Sequence, residues 1–338
     1  MHVVEIVGRG GPEHLHLREK PDVMPGPGQV RVAVKATGVN FADILGRQGL
    51  YPDAPKGDFV PGYEIAGTID AIGADTDRFA IGDRVMGITK FHGYASQVVT
   101  PETHLMRIPE GWDFVRAAAV PTVYLTAYMA LILQARLRKG DRLLIHGAAG
   151  GVGIAAIQFA RHIGADIVGT CGSPAKVAFL REQGVRWPMN YNDEPFDKFV
   201  RREVGKLDCI LDPQGGETTQ QGRRLLAHGG RLILYGIASA STGRKRNLIS
   251  MFKTVAPLFT INPLRLMKNN SGMFGLNLLR VWNDVPCMTG GFDYLKEAML
   301  SGVIDPIIDS TFPLAKAGEA HGRLESRGNI GKVVLTVD

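Results

Sequence analysis

Two patterns of apolar and polar positions divide the chain near residue 120. Before that point, short alternating runs such as 29–35 are separated by turns rich in glycine and proline, such as 25–28. Alternation with a period of two is typical of half-buried strands, so this part predicts a compact, irregular β domain. From about residue 122, apolar runs alternate with helical spacings, which predicts a doubly wound parallel sheet. The predicted strands of that sheet are 143–147, 167–171, 186–190, 207–212, 231–236 and 273–278, and a final strand is predicted at 331–337.

An uncharged run at 117–135 stands between the two patterns. It is 19 residues long, which is enough to raise the question of a membrane span. It contains Pro121 and several polar residues, however, and its apolar content is moderate. Because it leads directly into the first strand of the alternating pattern, we interpret it as a buried helix between two domains.

The first strand of the alternating pattern runs straight into a glycine-rich turn and then into a helix. The turn reads Ala148-x-Gly150-x-x-Gly153, which is a dinucleotide-binding spacing with alanine in place of the first glycine. Glycine lets the backbone approach a ligand closely, and the free N–H groups at a helix N-terminus attract a phosphate. We therefore expect the turn to bind a dinucleotide cofactor. The residues assigned to this contact are Ala149, Gly150, Gly151 and Val152.

The end of the next predicted strand indicates which dinucleotide is bound. In NAD-selective sites, a carboxylate about 20 residues after the glycines accepts hydrogen bonds from the ribose hydroxyls. The corresponding positions here hold Gly172 and Ser173, with Lys176 close behind. A carboxylate would repel a 2′-phosphate, whereas a hydroxyl group and an ammonium group attract one. The sequence therefore predicts NADPH rather than NADH; the alternative is that Lys176 is a solvated residue of a helix.

Composition and charge agree with a globular protein. The 338 residues are 45% hydrophobic and 21% charged, which is ordinary for a chain of two domains. The formal net charge of +6 comes mostly from dispersed basic residues, and no nucleic-acid recognition motif accompanies it. The three cysteines lie far apart, and the first residues do not resemble a signal peptide. We therefore expect reduced thiols, a cytoplasmic location and no nucleic-acid partner.

One denser group of basic residues lies in the segment 244–266. It starts with Arg244, Lys245 and Arg246, and further basic and apolar residues are interleaved after them. A basic amphipathic segment can lie in a bilayer interface, but prolines interrupt this one. We favour a flap over a substrate cleft or a dimer contact, and membrane association is the alternative.

Several motifs together resemble the medium-chain dehydrogenase/reductase superfamily across essentially the whole chain. Besides the glycine turn, they are Gly38-Val-Asn-Phe-Ala-Asp43, Gly49-Leu-Tyr-Pro52, Pro61-Gly-Tyr-Glu-Ile-Ala-Gly67 and Gly82-Asp-Arg-Val85. Within the superfamily the chain is similar to the zinc-free quinone oxidoreductase branch. The stretch 242–248, with the longer segment up to residue 277, is similar to the vesicle amine transport protein-like subgroup.

The resemblance implies an α/β fold of two domains with the active site between them. Residues 1–121 and 283–338 would form the catalytic, chaperonin-10-like β domain, and residues 122–282 would form the Rossmann-type domain. It also implies a homodimer through the last strand of the nucleotide domain, at 273–278. By position it assigns cofactor contacts, each of which could instead be packing, to Asn40, Thr126, Tyr191, Tyr235, Gly236, Phe274, Gly275, Asn329 and Lys332.

The zinc ligands of metal-dependent relatives are replaced in this chain. Those relatives have cysteine at the position of Asn40 and histidine at the position of Tyr63. An amide and a phenol are poor substitutes for a thiolate and an imidazole, so we expect no zinc. Without a Lewis acid, the accessible reaction is hydride addition to a carbon activated by conjugation, as in quinones and α,β-unsaturated carbonyl compounds.

Two side chains are candidates for this chemistry. Tyr51 resembles the tyrosine of the Gly-x-Tyr-Pro motif of related enoyl reductases, so it is the candidate proton donor; the alternative is a turn tyrosine that shields the cleft. Asn40 is the candidate partner of the nicotinamide ribose or the substrate oxygen. The sequence thus predicts an NADPH-dependent, zinc-independent reductase of quinones or enones. The alternative is a weakly active or non-catalytic NADPH-binding protein that associates with membranes or protein partners.

Overall fold

The structure, a computed structural model, describes residues 1–241 and 248–338 and begins with a β-rich unit. The longest of its strands has buried residues at alternate positions along its first half, as expected for a strand with one solvated face. The basic group Arg244–Arg246 lies outside the described residues. The elements of this unit are β1 (His2–Ile6), β2 (Leu15–Glu19), β3 (Gln29–Val39), α1 (Phe41–Arg47), β4 (Glu64–Ile72), β5 (Arg84–Ile88), β6 (Gln97–Pro101) and β7 (Leu105–Arg107).

Helices and strands alternate in the next part of the chain. They are α2 (Phe114–Ala118), α3 (Pro121–Tyr128), β8 (Arg142–His146), α4 (Gly151–Ile163), β9 (Asp166–Cys171), α5 (Pro174–Glu182), β10 (Trp187–Asn190), α6 (Phe196–Glu203), β11 (Leu207–Asp212), α7 (Gly216–Arg223), β12 (Leu226–Leu234), α8 (Leu248–Val255), α9 (Pro263–Asn269) and β13 (Gly272–Gly275). The strands pair in parallel in the order β10-β9-β8-β11-β12-β13. The order reverses between β8 and β11, which is where doubly wound sheets bind ligands. The prediction of a Rossmann-type sheet is confirmed.

Two of the predicted strands differ from the observed strands by more than one residue at an end. β12 begins at Leu226 instead of residue 231, because Leu226 already pairs with Leu207 ahead of a shift in register. β13 ends at Gly275 instead of residue 278, since the chain turns into a 3-10 helix at Leu278–Val281. The side chain of Asn277 caps that helix by accepting a hydrogen bond from the Leu279 N–H.

The uncharged run at 117–135 is a buried helical segment, as predicted. It contains the end of α2, all of α3 and a π-helical segment, Met129–Gln134. Tyr124 and Leu125 of α3 are almost completely buried, and α3 packs against α4. In the part of the chain that the structure describes, no helix is both long and apolar enough to span a membrane.

The end of the chain returns to the β-rich unit. Its elements are α10 (Val285–Leu300), β14 (Ile308–Pro313), α11 (Ala317–Glu325) and β15 (Lys332–Thr336). β15 pairs with β3 in antiparallel orientation and with β14 in parallel, so the last strand of the chain shares a sheet with a strand of its first forty residues. That sheet has the order β14-β15-β3-β4-β5-β7, with β6 on β3. The domain limits at 121/122 and 282/283 stay predictions.

Candidate active site

The glycine turn connects β8 to α4 at the carboxyl edge of the parallel sheet. Gly147 has a φ of +67°, and Gly150 is the N-cap of α4 without a side chain that could occupy the helix end. A Cβ atom on Gly153 would lie 2.5 Å from the carbonyl oxygen of Ala148, so glycine is needed for this close packing. The N–H groups of the first turn of α4 have no acceptors within the helix. The turn therefore fits a phosphate group at the N-terminus of α4.

The start of β15 lies directly against this turn. Gly331 donates its N–H to the carbonyl oxygen of Ala149 at 2.8 Å and forms a parallel bridge with Gly150. The buried amide of Asn329 donates to the carbonyl oxygen of Gly331 at 2.9 Å. Gly331 directly precedes Lys332. The contact thus brings the predicted residues Ala149, Gly150, Asn329 and Lys332 together.

Lys332 belongs to a buried polar cluster with Asn40 and Glu64. The Lys332 ammonium is 2.5 Å from Glu64 Oε1 and donates to Asn40 Oδ1 at 2.6 Å. Asn40 Nδ2 donates to Glu64 Oε1 at 2.7 Å, and Glu64 Oε2 accepts from the Thr122 N–H at 2.8 Å. The side chains of Lys332 and Glu64 are 4% and 0% exposed. Both ends of the Asn40 amide therefore have protein partners, and a cofactor contact with that amide would have to replace one of them.

The N-terminus of α1 holds Asn40 in position. The N–H of Asn40 donates to Asp43 Oδ2 and the N–H of Gly62 donates to Asp43 Oδ1, both at 2.8 Å. Burial raises the pKa of Asp43 to about 7, although the two backbone donors act in the opposite direction. Because Gly62 precedes Tyr63, Asp43 fixes both segments whose counterparts carry ligands in zinc-dependent relatives. In the described ranges, no group of three or more histidine, cysteine, aspartate or glutamate residues could hold a metal ion.

Tyr51 connects the end of α1 to the segment after β13. Its hydroxyl donates to Asn277 Oδ1 over a long 3.4 Å, and Asn277 Nδ2 donates to Asp53 Oδ2 at 2.8 Å. The Tyr51 ring lies edge-on to the ring of Tyr63, with centroids 6.1 Å apart. Burial, helped by the charge of Asp53, raises the pKa of Tyr51 to about 12. The hydroxyl is therefore protonated at neutral pH, and its long hydrogen bond can be exchanged for one to a substrate oxygen.

Four of the predicted residues meet at the end of β9. Ser173 is the N-cap of α5, and its hydroxyl accepts from the Lys176 N–H at 3.3 Å. A Cβ atom on Gly172 would overlap with the Tyr191 hydroxyl, so the missing side chain admits the tyrosine. The Lys176 ammonium donates to the carbonyl oxygen of Arg327 at 2.6 Å, and burial lowers the pKa of Lys176. This group offers hydroxyl, phenol and ammonium groups, which are suited to a 2′-phosphate.

The remaining predicted residues belong to other elements than those that carry Asn40, Glu64 and Lys332. Tyr235 and Gly236 follow β12, and Phe274 and Gly275 end the neighbouring strand β13. Thr126 lies in α3, where its hydroxyl donates to the carbonyl oxygen of Thr122 at 2.7 Å.

Glu64 and Asn277 are site residues that the sequence predictions missed. Glu64 stands next to Ile65 and Ala66 in a buried strand, and a carboxylate in such surroundings needs a buried partner. That requirement signals a partner without identifying Lys332 at the other end of the chain. The loop position of Asn277 carries no comparable signal.

Comparison with known proteins shows the family to which this chain belongs. The sequence matches two family models, "Alcohol dehydrogenase GroES-like domain" over residues 26–110 and "Zinc-binding dehydrogenase" over residues 151–289. It is 36% identical to the synaptic vesicle membrane protein VAT-1 homolog of Rattus norvegicus over 333 residues, which cover 98% of this chain and 82% of the relative. The chain belongs to the medium-chain dehydrogenase/reductase superfamily.

Within the superfamily, quinone oxidoreductases are also among the similar proteins. The quinone oxidoreductase of Homo sapiens is 32% identical over 340 residues, which cover 99% of this chain and 97% of the relative. The structure of mycobacterial Rv1454c complexed with NADPH superposes with a TM-score of 0.87 at 28% identity, covering 99% of this chain and 100% of the other. The resemblance inferred from the motifs is confirmed.

Proposed function

We propose that this medium-chain dehydrogenase/reductase is an NADPH-dependent, zinc-independent reductase of quinones or α,β-unsaturated carbonyl compounds. The observation that carries the proposal is the contact of Gly331 with the glycine turn, since it connects that turn to Lys332 and Asn40. One continuous group of residues can then hold a dinucleotide and face a substrate. The likeness to a quinone oxidoreductase and to a structure complexed with NADPH supports the same proposal.

The donor groups of the chain suit NADPH. The N–H groups at the start of α4 would hold the pyrophosphate, and Ser173, Lys176 and Tyr191 would hold the 2′-phosphate. When bound, NADPH supplies a hydride. We expect NADPH to bind at least about tenfold more tightly than NADH, because the 2′-phosphate adds charge-assisted hydrogen bonds. Equal dissociation constants for the two would contradict the assignment.

The residues at the cleft would complete the transfer with a proton. Hydride addition to the β-carbon of an enone leaves negative charge on the carbonyl oxygen, and the α-carbon then takes a proton. The Tyr51 hydroxyl is protonated at neutral pH and would donate its proton to the oxygen or the α-carbon of the enolate. It would then regain a proton from solvent. The Asn40 amide, held by Glu64 and Lys332, would present a fixed dipole to the ribose or the substrate.

The direct test is NADPH oxidation against a panel of quinones and enones, with wild type beside Tyr51→Phe. We expect turnover that falls at least about tenfold in the variant, because a general acid contributes about that much or more. Tyr294→Phe, another partly buried tyrosine, serves as control and should retain wild-type rates. Unchanged turnover in Tyr51→Phe would leave a reductase in which Tyr51 only packs. NADPH binding without any turnover would favour the non-catalytic alternative.

The homodimer is a further part of the proposal. β13 is the last strand of the parallel sheet, and in the described part of the chain no strand pairs with its outer edge. A second copy could continue the sheet there. Light scattering should give the mass of two 36.6 kDa chains, and the mass of one would contradict the dimer.

A further inference from the structure

A network of buried polar side chains leads from α11 to the candidate active site. Its members are Arg47 and Asp43 of α1, Tyr94 of the loop before β6 and His321 of α11. All four side chains belong to residues that are at most 1% exposed. Polar groups that are buried so completely need hydrogen-bond partners inside the protein. We call these four residues the buried network.

The donors and acceptors of the buried network fix the positions of its protons. Arg47 Nη1 lies 3.2 Å from His321 Nδ1, and a guanidinium can only donate, so Nδ1 accepts. A neutral imidazole then carries its proton on Nε2, which lies 3.1 Å from the Tyr94 hydroxyl oxygen and donates to it. The proton of the Tyr94 hydroxyl is left for Asp43 Oδ2, at 3.3 Å. Every hydrogen bond thus points from Arg47 toward Asp43.

The charge of Arg47 favours this neutral form of His321. Burial, helped by the neighbouring guanidinium, holds the pKa of His321 well below its usual range. Arg47 is itself held by an ion pair with Glu325 and by a hydrogen bond from its Nε to the carbonyl oxygen of Gly10 at 3.1 Å. A protonated imidazole would set an N–H group against the N–H groups of Arg47. The tautomer with the proton on Nε2 is therefore the one that fits.

The buried network ends at the carboxylate that holds two segments of the cleft. Asp43 Oδ2 accepts from the Asn40 N–H and from the Tyr94 hydroxyl, and Asp43 Oδ1 accepts from the Gly62 N–H. An ionised carboxylate only accepts, so three donors suit the charged form of Asp43. The neutral acid would turn its own proton toward one of the three donors. The Tyr94 hydroxyl therefore helps Asp43 to hold both backbone N–H groups at once.

We propose that His321 and Tyr94 are positioning residues that keep Asp43 a charged acceptor. Asp43 in turn fixes Asn40 and the segment 62–63 beside the cleft. In this role neither His321 nor Tyr94 touches the cofactor or the substrate. The effect on catalysis rests on the proposed reductase function, whereas the positioning itself does not.

A network that only stabilises the fold is the alternative, since a buried hydrogen bond contributes to stability wherever it lies. Tyr124 of α3 allows the two roles to be separated. Its hydroxyl donates to Gln158 Oε1 at 2.7 Å, outside the buried network, and the residue is 1% exposed. Tyr124→Phe is therefore the matched control for Tyr94→Phe, because each variant removes one buried tyrosine hydroxyl and keeps the ring.

Nitrogen NMR of protein labelled with nitrogen-15 histidine tests the tautomer. The variant His321→Leu identifies the resonances of His321. We expect a proton on Nε2 and none on Nδ1, with no change between about pH 6 and pH 8. A proton on Nδ1, or titration of the ring in this range, would overturn the proposal.

Hydrogen exchange tests the positioning without any enzymatic activity. In Tyr94→Phe the ring stays, but Asp43 loses one of its donors. We expect the backbone N–H groups of Asn40 and Gly62 to exchange at least about tenfold faster than in wild type, and Tyr124→Phe to leave them unchanged. Wild-type exchange rates in Tyr94→Phe, or equal acceleration in both variants, would overturn the positioning.

Steady-state reduction of a quinone or enone by NADPH tests the effect on catalysis. We expect kcat to fall at least about tenfold in Tyr94→Phe, while the dissociation constant of NADPH changes less than about threefold, because the glycine turn is intact. Tyr124→Phe should keep the wild-type kcat. An unchanged kcat in Tyr94→Phe would overturn the catalytic effect. No turnover by wild type would refute the reductase function, and hydrogen exchange would still decide the positioning.

Two variants of His321 complete the test. Glutamine keeps an N–H group that can donate to the Tyr94 hydroxyl, whereas leucine has no donor. We expect kcat and the exchange rate of the Asn40 N–H to lie closer to the wild-type values in His321→Gln than in His321→Leu. Equal losses in the two variants would overturn the role of a donor at this position.

Discussion

The Asn40 amide is the residue on which the candidate site depends most, because it lies between a buried carboxylate and a buried ammonium. Its orientation is set by Glu64 and Lys332, which accept from and donate to its two ends. Replacing a whole buried ion pair costs little, whereas removing one partner leaves a buried charge without compensation. We therefore expect the stability of the protein to fall even when a single charged atom of the cluster is replaced by a neutral one.

Glu64→Gln should show this sensitivity in stability. The variant keeps the shape of the side chain but removes the only carboxylate in direct contact with the Lys332 ammonium in the described residues, so we expect the free energy of unfolding to fall by about 3–5 kcal/mol. Urea denaturation measures the change. Asp166→Asn is the control, since its ion pair with Arg186 is exposed and should be worth less than about 1 kcal/mol. Equal losses in both variants would contradict the buried cluster.

Tyr51 should remain a proton donor over the whole working range of pH. Its pKa, raised to about 12 mainly by burial, means that the hydroxyl loses its proton only well above the ordinary range for tyrosine. We therefore expect kcat/KM profiles of wild type and Tyr51→Phe to have the same shape between about pH 7 and pH 10, at different heights. An alkaline limb present in wild type and absent in the variant would show that Tyr51 titrates there.

At this scale, the sequence indicates candidate residues where their partners are local. The glycine turn and the group around Ser173 lie within short stretches, so spacing alone indicates them. The cluster of Asn40, Glu64 and Lys332 forms only when β15 pairs with β3 beside β4. Such pairing between the two ends of the chain leaves no periodic pattern, which is why Glu64 was missed.

At the scale of elements, the packing of α4 on its turn decides whether a dinucleotide can approach. Gly153→Ala would place a methyl group 2.5 Å from the Ala148 carbonyl oxygen and push the helix away from the turn. We expect the dissociation constant of NADPH to rise at least about tenfold, as measured by fluorescence titration. Gly290→Ala, in the open space of α10, is the control and should leave binding unchanged. Equal affinity in both variants would contradict a site at this turn.

The strand pattern identified the sheet, but it did not identify α8 and α9. Continuous apolar runs bounded by turns made 207–212 predictable to its exact limits, and the same pattern missed the first residues of β12. The region of α8 and α9 contains Pro257 and Pro263, which interrupt its periodicity. The structure nevertheless forms helical segments there, because each proline lies in the first turn of its segment, Ala256–Thr260 or Pro263–Asn269, where proline is tolerated.

At the scale of the whole molecule, the contact of Gly331 with Ala149 connects the β-rich unit to the parallel sheet. Gly331 has a φ of +89°, and a Cβ atom there would overlap with the carbonyl oxygen of Ile307. We expect Gly331→Ala to weaken NADPH binding and to lower the thermal midpoint by several degrees, because both strain and overlap are introduced. Calorimetry and fluorescence titration measure the two effects. Gly322→Ala, in the open space beside helix α11, should weaken neither NADPH binding nor stability. Loss of stability in Gly331→Ala without loss of affinity would contradict a role of this contact in the site.

The most direct measurement treats the enzyme with a metal chelator and supplies an enone with NADPH that is deuterated at the transferred position. The position of deuterium in the product and the rate are then measured. Reduction of a conjugated carbon without zinc should deliver deuterium to the carbon β to the carbonyl, at a rate that the chelator does not change. Deuterium on the carbonyl carbon, in an alcohol product, would contradict the account. So would a rate that the chelator abolishes and that zinc restores.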